Sequence, residues 1–478
     1  MKRRQLLRSA AGLAVAGGIG RPAIVRSASA TTLKFVPYAD LALLDPLVSA
    51  FVTRNHCLLI FDTLFALDPQ FNAQPQMLAG YTVDADQKIW TLTLRDGLWF
   101  HDGTPVLARD VVASLRRWAI ADAYGQALFA ATDDLSAPDD KTVVFRLNRP
   151  FPLLPQALAK PTNLMAVIMP ERLAKTPATT RLTEMVGSGP FRYLADERVS
   201  GAHNAYGKFE KYLPRDGVAS FCAGPRIANF DRVEWLTTPD PSTQAAAVKN
   251  AEVDWVEQPV MDLVPSLKTD RNLKVEVVET AGLIGVLRFN HLHPPFDNPA
   301  IRRAALRAVN QREFMTAVAG ELGPEVINDC VSFFAPSSRY ASTAGMENVS
   351  ANPDLAALKA EVMKAGYNGE KVVFLGAADV PRITAICQVG ADTLSKIGLN
   401  VDYVSLDWGT VVQRMVNKAP PGEGGWSMFG SMWAAWTGTI RPAMRRCAAM
   451  AGRRGSAGRR RRSWRNIGTP GWSKPIRQ

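Results

Sequence analysis

The sequence predicts a mixed α/β protein with two or three lobes. Segments typical of strands and segments typical of helices follow one another along the body of the chain. The chain has 478 residues and 47% of them are hydrophobic, so it can bury a large core. Because this length exceeds that of one ordinary domain, we expect several lobes built from open sheets with helices on their faces.

The individual elements follow from the spacing of apolar residues. Strands are predicted where side chains alternate or form short apolar runs, at residues 88–94, 141–147, 274–278, 285–289, 371–375 and 400–406. Helices are predicted where apolar residues recur at helical spacing, at residues 108–120, 243–250, 299–309, 354–365 and 381–397. Their alternation supports the mixed α/β class.

Residues 1–30 have the layout of a removable export signal. A basic start is followed by the apolar stretch 10–19 and then by Ala28, Ser29 and Ala30, small residues of the kind that a signal peptidase recognises. The apolar stretch is far shorter than the roughly 20 residues that span a bilayer. We therefore expect cleavage after Ala30, a soluble chain without a membrane span, and a periplasmic location.

The basic start of this segment is similar to a twin-arginine signal. Arg3 and Arg4 are followed, after one residue, by Leu6 and Leu7, which is the pattern that directs folded proteins across the bacterial inner membrane. An ordinary secretory signal with adjacent arginines is the alternative. No cysteine precedes Cys57, so a lipid anchor at the cleavage point is excluded.

The net charge of +12 is concentrated at the two ends of the chain. Residues 1–30 carry six Lys or Arg and residues 437–478 carry twelve, with no Asp or Glu in either segment. Residues 31–436 then contain 38 basic and 44 acidic side chains, which is a net charge of −6. A body that binds nucleic acid would show a basic face, so we expect no nucleic-acid partner for it.

Motifs of common enzyme classes do not occur in the chain. It has no Gly-x-Ser-x-Gly nucleophile motif, no phosphate-binding loop that ends in Gly-Lys-Ser or Gly-Lys-Thr, and no Gly-x-Gly-x-x-Gly after a strand. We therefore expect no catalytic residues and no cofactor. A secreted enzyme is the less favoured alternative.

Metal-binding patterns are equally sparse. The five cysteines are widely spaced, so they form neither a close metal pair nor a Cys-x-x-C motif. His291 and His293 alternate in an extended segment and could share a side, but no third or fourth ligand lies beside them. We expect no metal site, and we expect His101 to form structural hydrogen bonds.

The densest motif spans residues 90–111. A predicted strand leads into two Asp-Gly pairs, at 96–97 and 102–103, which suit turns with positive φ, and then into a helix whose first turn contains Asp110. The Asp110 carboxylate is placed to accept hydrogen bonds from unpaired N–H groups at that helix start. The motif therefore predicts a strand, two tight turns and a capped helix.

Together with further stretches, this motif closely resembles the signature of the peptide- and nickel-binding family of ABC-importer solute-binding proteins. The further stretches follow in the order found in that family: 187–191, 230–235 with 251–255, and 289–290 with 294–299. The resemblance extends from about Leu33 to Trp433.

The resemblance implies a type II periplasmic-binding-protein fold, in which two lobes close on a ligand and an extra domain is inserted in the first lobe. The implied division is a first lobe at 31–75 and 184–280, an inserted domain at 76–183 and a second lobe at 281–436. It also implies a monomer that delivers a small ligand, a peptide or related compound, to an ABC-importer permease. Nickel or a metal complex is the alternative ligand within the family.

Aromatic residues near strand ends are candidates for the walls of a ligand cleft, since such clefts bury most of a small ligand. Asn290 directly follows a strand and could offer its amide to the same cleft. The alternatives are core packing for the aromatic residues and a turn role for Asn290. The aromatic candidates follow or lie in strand-like segments: Tyr38, Trp408, Phe429 and Trp433.

The end of the sequence departs from the family pattern. Peptide-binding relatives place an acidic residue shortly after the segment that matches 426–433, where it pairs with the α-amine of the ligand. This chain has no Asp or Glu beyond Glu423, so the ligand class stays open. From about Thr437 the resemblance ends, and the C-terminal part expected for the family is missing. We expect residues 437–478 to be disordered, as the product of a shifted reading frame or as a basic arm that binds nucleic acid or anionic lipid.

Overall fold

The computed structural model describes residues 31–434, except 49, 163, 279–281, 321, 323–325, 328–331, 333–340, 347–348 and 416. The expected export signal at 1–30 and the basic segment at 437–478 lie outside the described residues. Among the described residues, no helix is both long enough and apolar enough to cross a membrane.

Strands and helices alternate as expected for a mixed α/β protein. The described strands are β1 Thr32–Val36, β2 Phe65–Leu67, β3 Ala73–Pro75, β4 Leu78–Val83, β5 Ile89–Leu94, β6 Thr132–Ser136, β7 Thr142–Leu147, β8 Phe191–Tyr193, β9 His203–Lys208, β10 Arg232–Leu236, β11 Trp255–Val256, β12 Leu283–Phe289, β13 Lys371–Ala377, β14 Asn400–Leu406 and β15 Met428–Ala434. The described helices are α1 Phe51–Ile60, α2 Ala108–Ala121, α3 Ala123–Phe129, α4 Leu154–Ala159, α5 Glu171–Ala174, α6 Pro241–Lys249, α7 Val264–Lys268, α8 Pro299–Arg307, α9 Gln311–Ala319, α10 Leu355–Lys364, α11 Pro381–Lys396 and α12 Trp408–Arg414. Short 3₁₀ turns lie at Ala195–Glu197, Met261–Leu263 and Pro421–Glu423.

One predicted strand is wrong. Residues 274–278 form no strand, although the other predicted strands and helices are present within a few residues of their expected ends. Val277 and Val278 are 59% and 78% exposed. Val277 and Val278 therefore face solvent, and none of the described strands pairs with this segment.

Five strands form the N-terminal sheet, in the order β11-β1-β10-β9-β8. β1 lies parallel to β10 and β11, while β9 is antiparallel to β10 and β8. Phe35 of β1 contacts the rings of Trp235 and Trp255 at centroid distances of 5.5 and 4.9 Å. Because β1, β10 and β11 run in the same direction, their carboxyl ends lie along one edge of the sheet.

A second sheet, in the order β4-β5-β7-β6, is antiparallel throughout and packs against α2. The Asp110 carboxylate in the first turn of α2 accepts hydrogen bonds from the Leu107 and Glu171 N–H groups at 2.8 and 2.7 Å. Leu92 and Leu115 of this part belong to the same apolar core as Phe35. The second sheet therefore shares one continuous core with the N-terminal sheet, and the short pair β2-β3 contacts both α4 and β4 beside it.

Four strands form the C-terminal sheet, in the order β12-β15-β13-β14. β13 is parallel to β14 and β15, and β12 is antiparallel to β15. α11 covers one face, where Gly390 lets the helix approach Leu287 and Phe374 closely. α12 covers part of the other face and packs on Val373 and Leu375 through Val411.

Candidate functional site

In both the N-terminal sheet and the C-terminal sheet, the carboxyl ends of parallel strands form one edge. In the N-terminal sheet, this carboxyl edge lies where β1, β10 and β11 end. In the C-terminal sheet, it lies where β13, β14 and β15 end. Ligands of open α/β sheets bind outside the carboxyl ends of the strands, so these edges are the first places to look for a site.

Glu257 and Tyr38 lie side by side at the carboxyl edge of the N-terminal sheet. Glu257 directly follows β11, and its carboxylate accepts hydrogen bonds from the Tyr38 backbone N–H at 3.0 Å and from Asn55 Nδ2 at 2.8 Å. Burial and the nearby Glu257 carboxylate raise the pKa of Tyr38 to about 12. The Tyr38 phenol is therefore neutral at physiological pH and can act as a hydrogen-bond donor.

Arg54 on α1 also belongs to this edge. Its guanidinium donates to Asn55 Oδ1 at 2.6 Å through Nη2, and its central carbon lies 5.2 Å from the Phe51 ring centroid. Its positive charge favours ionisation of Tyr38 and so opposes the effect of Glu257 on the Tyr38 pKa. Arg54 therefore lies within electrostatic range of the Tyr38 phenol.

Arg382, from the C-terminal region, also lies near Tyr38 and Glu257. It is the second residue of α11, which begins just after β13 ends at the carboxyl edge. Burial lowers the pKa of Arg382, while electrostatic interactions with Tyr38 and Glu257 oppose that shift. These electrostatic interactions indicate that the residues following β1 and β11 lie near the start of α11. We name the space between the two carboxyl edges the cleft, and the group Tyr38, Arg54, Glu257 and Arg382 the cleft cluster.

Three of the sequence-predicted residues lie at the carboxyl edges. Tyr38 follows β1 and belongs to the cleft cluster. Trp408 is the half-buried first residue of α12, and its backbone N–H donates to Asp379 Oδ1 at 2.8 Å. Trp433 is the last residue but one of β15, and its indole Nε1 donates to Ser431 Oγ at 2.7 Å. The Arg288 guanidinium carbon lies 5.8 Å from the Trp433 ring centroid.

Two other predicted residues do not come to the cleft. Phe429 lies near the start of β15, is 3% exposed and packs against Trp426 at a ring-centroid distance of 5.0 Å, so its position is one of core packing. Asn290 follows β12, which runs antiparallel to β15 and so ends at the opposite edge. Its Nδ2 donates to the Trp426 carbonyl at 2.8 Å and its Oδ1 accepts from Leu292 N–H at 3.1 Å. Both halves of the Asn290 amide are therefore hydrogen-bonded within the protein, Oδ1 in a local turn and Nδ2 to the segment that precedes β15.

Sequence reasoning missed Arg54, Glu257 and Arg382. Glu257 comes two residues after the motif at 251–255, and Arg382 opens the helix predicted at 381–397. Arg382 follows the strand predicted at 371–375, and Glu257 follows a stretch that carries the family resemblance, which were the signals available. Only the packing of one sheet opposite the other shows that these charges meet.

Two of the histidines considered from the sequence, His101 and His293, have structural hydrogen bonds. His101 Nε2 lies 3.0 Å from the Gly189 carbonyl, and its Nδ1 accepts from Gly187 N–H at 3.3 Å, which ties the 90–111 motif to the stretch 187–191. His293 Nε2 lies 2.9 Å from the Lys418 carbonyl. Within the described residues, no three His, Cys, Asp or Glu side chains are grouped as metal ligands would be.

Comparison with known proteins identifies the class of molecule to which this geometry belongs. Residues 72–450 match the model of bacterial extracellular solute-binding proteins, family 5. A Sinorhizobium fredii protein named a probable peptide ABC transporter periplasmic-binding protein is 37% identical over 437 residues, which cover 90% of this chain and 81% of that protein. The family match runs past Trp433 and Thr437 to residue 450, so the resemblance extends further than the motifs alone indicated.

Solved structures agree on the fold. A dipeptide-binding protein from Pseudoalteromonas sp. SM9913 in complex with Met-Leu has a TM-score of 0.70 at 21% identity, covering 86% of this chain and 82% of that one. A periplasmic binding protein from A. tumefaciens R10 in complex with agropinic acid has a TM-score of 0.69 at 23% identity. The match covers 84% of this chain and 77% of that one.

The molecule is therefore an extracellular solute-binding protein, a transport component and not an enzyme. Within that class, it belongs to family 5 of the bacterial extracellular solute-binding proteins.

Proposed function

We propose that the protein binds a small peptide-type ligand in the cleft and delivers it to an ABC importer. The observation that carries this proposal is that the residues following β1 and β11 lie near the start of α11, because Arg382 interacts electrostatically with Tyr38 and Glu257. The name of the Sinorhizobium fredii relative and the Met-Leu complex of the dipeptide-binding protein support the peptide class.

The proposed mechanism is closure of two lobes. The N-terminal sheet would be the core of the lobe formed by residues 31–75 and 184–280, and the C-terminal sheet that of the lobe at 281–436. The sheet β4-β5-β7-β6 would be the inserted domain at 76–183. A ligand that contacts both carboxyl edges stabilises the closed arrangement, which the permease then recognises.

Tyr38, Trp408 and Trp433 are the proposed ligand-contacting aromatic residues. We expect Trp433→Ala to weaken ligand binding by about 1–3 kcal/mol with little change in stability, because the side chain is half-buried near the carboxyl edge. Phe429→Ala is the matched control on the same strand, since it should lower the free energy of unfolding by about 3 kcal/mol. Calorimetry and thermal unfolding of both variants measure the two effects, and equal losses of stability in both would place Trp433 in the core.

The direct test of the proposed function is native mass spectrometry of protein purified from the periplasm. A co-purified peptide, lost on partial unfolding and recovered on refolding with that peptide, is the expected result. A nickel ion or metal complex in its place would establish the alternative ligand of the family. The same spectra report whether the protein is the expected monomer.

Export through the twin-arginine route is a further part of the proposal. Periplasmic-binding proteins act outside the cytoplasm, and residues 1–30 carry Arg3, Arg4 and the small residues before the expected cleavage after Ala30. Changing Arg3 and Arg4 together to Lys preserves the charge and removes the motif, so the precursor should stay in the cytoplasm. Undiminished periplasmic protein from this variant would instead favour an ordinary secretory signal.

A further inference from the structure

An open groove lies between α8 and α10, beside the C-terminal sheet. Its volume of about 440 Å³ is within the range of roughly 300–1,000 Å³ that is usual for small-molecule sites. Three of its six lining side chains are cations and one is a carboxylate, so the groove has an excess of two positive charges. The lining residues come from one face of each helix: Ala300, Arg303 and Arg307 from α8, and Glu361, Lys364 and Ala365 from α10.

The groove is separate from the cleft. β12 ends at the edge of the C-terminal sheet opposite its carboxyl edge, and α8 follows β12. α10 leads into β13, whose amino end lies at that same opposite edge because β13 is parallel to β15. A ligand of the cleft therefore does not occupy the groove.

The three arginines of α8 are used in different ways. Arg302 donates to two backbone carbonyls of the turn before the helix. Arg307 Nη1 donates to Glu361 Oε2 at 2.8 Å, which joins α8 to α10. Among the described residues, no carboxylate oxygen lies within 4.0 Å of Arg303 or of Lys364. Two cations therefore line the groove without a counter-ion.

Helix dipoles account for only part of this charge. Arg307 and Lys364 lie in the last turns of α8 and α10, where a cation favours the dipole of its helix. Arg303 lies in the middle of α8 and has no such role. Because residues 31–436 have a net charge of −6, the positive excess at the groove is a local departure from an acidic body. It suits an anionic ligand.

The backbone on both sides of the groove is fixed. Asn298 Oδ1 accepts the Ala300 N–H at 2.9 Å, and Asn298 Nδ2 donates to the Ala365 carbonyl at 2.9 Å. These hydrogen bonds join the start of α8 to the end of α10. Ile301 of α8 and Val362 of α10 are buried in the same apolar core. The groove is therefore largely preformed, as small-molecule sites usually are.

The charge of the groove matches a phosphate group. A phosphomonoester carries a charge of about −1.5 to −2 near pH 7, which is more than a single carboxylate supplies. Guanidinium groups bind phosphate oxygens in pairs, and an ammonium group adds a point charge. An excess of two positive charges therefore favours a phosphomonoester over a carboxylate.

We propose that the groove is a second binding site, which takes the phosphate group of a phosphomonoester between Arg303, Arg307 and Lys364. Glu361 orients Arg307 and limits the affinity by its negative charge. The phosphate group can come from a soluble phosphomonoester or from the headgroup of phosphatidic acid, which has the same chemistry. This site is independent of the ligand that the cleft binds.

Two substitutions test the charges because their effects have opposite signs. Lys364→Ala removes a cation and should weaken phosphate binding by about three- to tenfold. Glu361→Gln removes the competing carboxylate and should strengthen phosphate binding by about two- to fivefold. Lys359→Ala is the matched control, because Lys359 lies on the same helix, packs beside Gly398 and does not line the groove.

The experiment follows the groove itself, because the twelve Lys or Arg of residues 437–478 also attract phosphate. The full chain is treated with phenylglyoxal, which modifies arginine side chains, in increasing glycerol phosphate at constant ionic strength. Mass spectrometry of the peptides measures the modification rates of Arg303 and Arg307. Arg109 on α2, whose side chain is 64% exposed, is the internal reference. A second arm replaces glycerol phosphate by vesicles with and without phosphatidic acid.

We expect glycerol phosphate to protect Arg303 and Arg307 and to leave Arg109 reactive. The concentration needed should be lowest for Glu361→Gln, equal for the wild type and Lys359→Ala, and highest for Lys364→Ala. Protection by phosphatidic acid vesicles alone, weakened in Lys364→Ala, supports the same site and assigns it to a lipid headgroup. Equal protection of Arg109, protection that Lys364→Ala does not change, or no protection in either arm overturns the inference. Thermal unfolding confirms that each variant is folded.

Discussion

The N-terminal region, residues 31–256, and the C-terminal region, residues 283–434, use charge in different ways. The first encloses its two larger sheets in one continuous apolar core and buries ion pairs within it, among them Arg117–Asp45 with side chains 2% and 1% exposed. In the second, the apolar residues divide into a main core under α11 and a smaller one under α12. All ion pairs described there have side chains at least 40% exposed.

This difference separates charges that hold the fold from charges that are available to a ligand. Removing one partner of a buried ion pair leaves the other charge buried and uncompensated, which strongly destabilises the fold. An exposed pair is weak and exchanges easily with water. The ion pairs described in the C-terminal region are of this exposed kind.

The largest expected effect comes from breaking the buried pair. Two Arg117 nitrogens contact the Asp45 carboxylate at 3.1 and 2.8 Å, and the Leu182 N–H adds a third hydrogen bond at 2.9 Å. Arg117→Ala leaves the carboxylate buried without its cation, so the free energy of unfolding should fall by about 3–5 kcal/mol. Denaturant titration measures the change.

A double variant sharpens this test. Replacing Arg117 by Met and Asp45 by Leu together removes both charges and keeps apolar volume, so much of the lost stability should return. If the double variant is no more stable than Arg117→Ala, shape rather than charge accounts for the loss.

A smaller effect is expected from a methyl group placed in each region. A Cβ on Gly187 would overlap the Ile60 carbonyl oxygen, which belongs to the backbone and cannot move aside. A Cβ on Gly376 would overlap the hydroxyl, Cζ and Cε2 of Tyr403, which are the far end of a half-buried side chain rather than backbone. Gly187→Ala should therefore cost about 3 kcal/mol of stability and Gly376→Ala less than about 1 kcal/mol. Equal losses in thermal unfolding would mean that the C-terminal region is packed as tightly as the N-terminal one.

Much of the fold could be predicted from the sequence because its elements have strong local signals. The helix at 381–397 and the strand at 400–406 were predicted to within one residue, since apolar spacing and proline or glycine boundaries mark them. The strand predicted at 274–278 failed because alternation shows only that a segment could be half-buried. Whether a neighbouring strand is present to pair with it depends on the rest of the chain.

The candidate site was harder to predict than the fold. Tyr38, Trp408 and Trp433 follow or end strands, so a rule based on strand ends selected them, and the structure places them at the carboxyl edges. The same rule also selected Asn290, because sequence does not show that β12 runs against its neighbour and ends at the opposite edge. Arg382 and Glu257 are 125 positions apart, and their approach depends on how two separate sheets pack.

Acid pH offers a graded test within the N-terminal region. His56 is fully buried with Nδ1 2.9 Å from Tyr206 Oη, and burial, assisted by Arg198, lowers its pKa to about 3. In the unfolded chain, the exposed His56 imidazole takes up a proton near pH 6.5. Neutral His56 is therefore fully compatible with the fold above that pH. The contribution is lost as the pH falls from about 6.5 toward 3, at about 1.4 kcal/mol per pH unit.

The measurement is the slope of unfolding free energy against pH between 6.5 and 4.5. In His56→Gln, unfolding should take up about one proton fewer, so the slope should be less steep. Across this range the free energy of unfolding should then change by about 2 kcal/mol less than in the wild type. An unchanged slope in His56→Gln would show that His56 is already protonated in the folded protein.

The smallest expected effect is the coupling within an exposed pair of the C-terminal region. Arg307 Nη1 lies 2.8 Å from Glu361 Oε2, yet the two side chains are 40% and 47% exposed, so water screens their attraction. A double-mutant cycle with Arg307→Ala and Glu361→Ala should give a coupling of about 0.2–1 kcal/mol, decreasing as salt is added. The same cycle on Arg117 and Asp45 should give a larger coupling that salt hardly changes, because the buried pair is shielded from mobile ions. If the coupling of the exposed pair matched that of the buried one, the C-terminal region would depend on its ion pairs for folding.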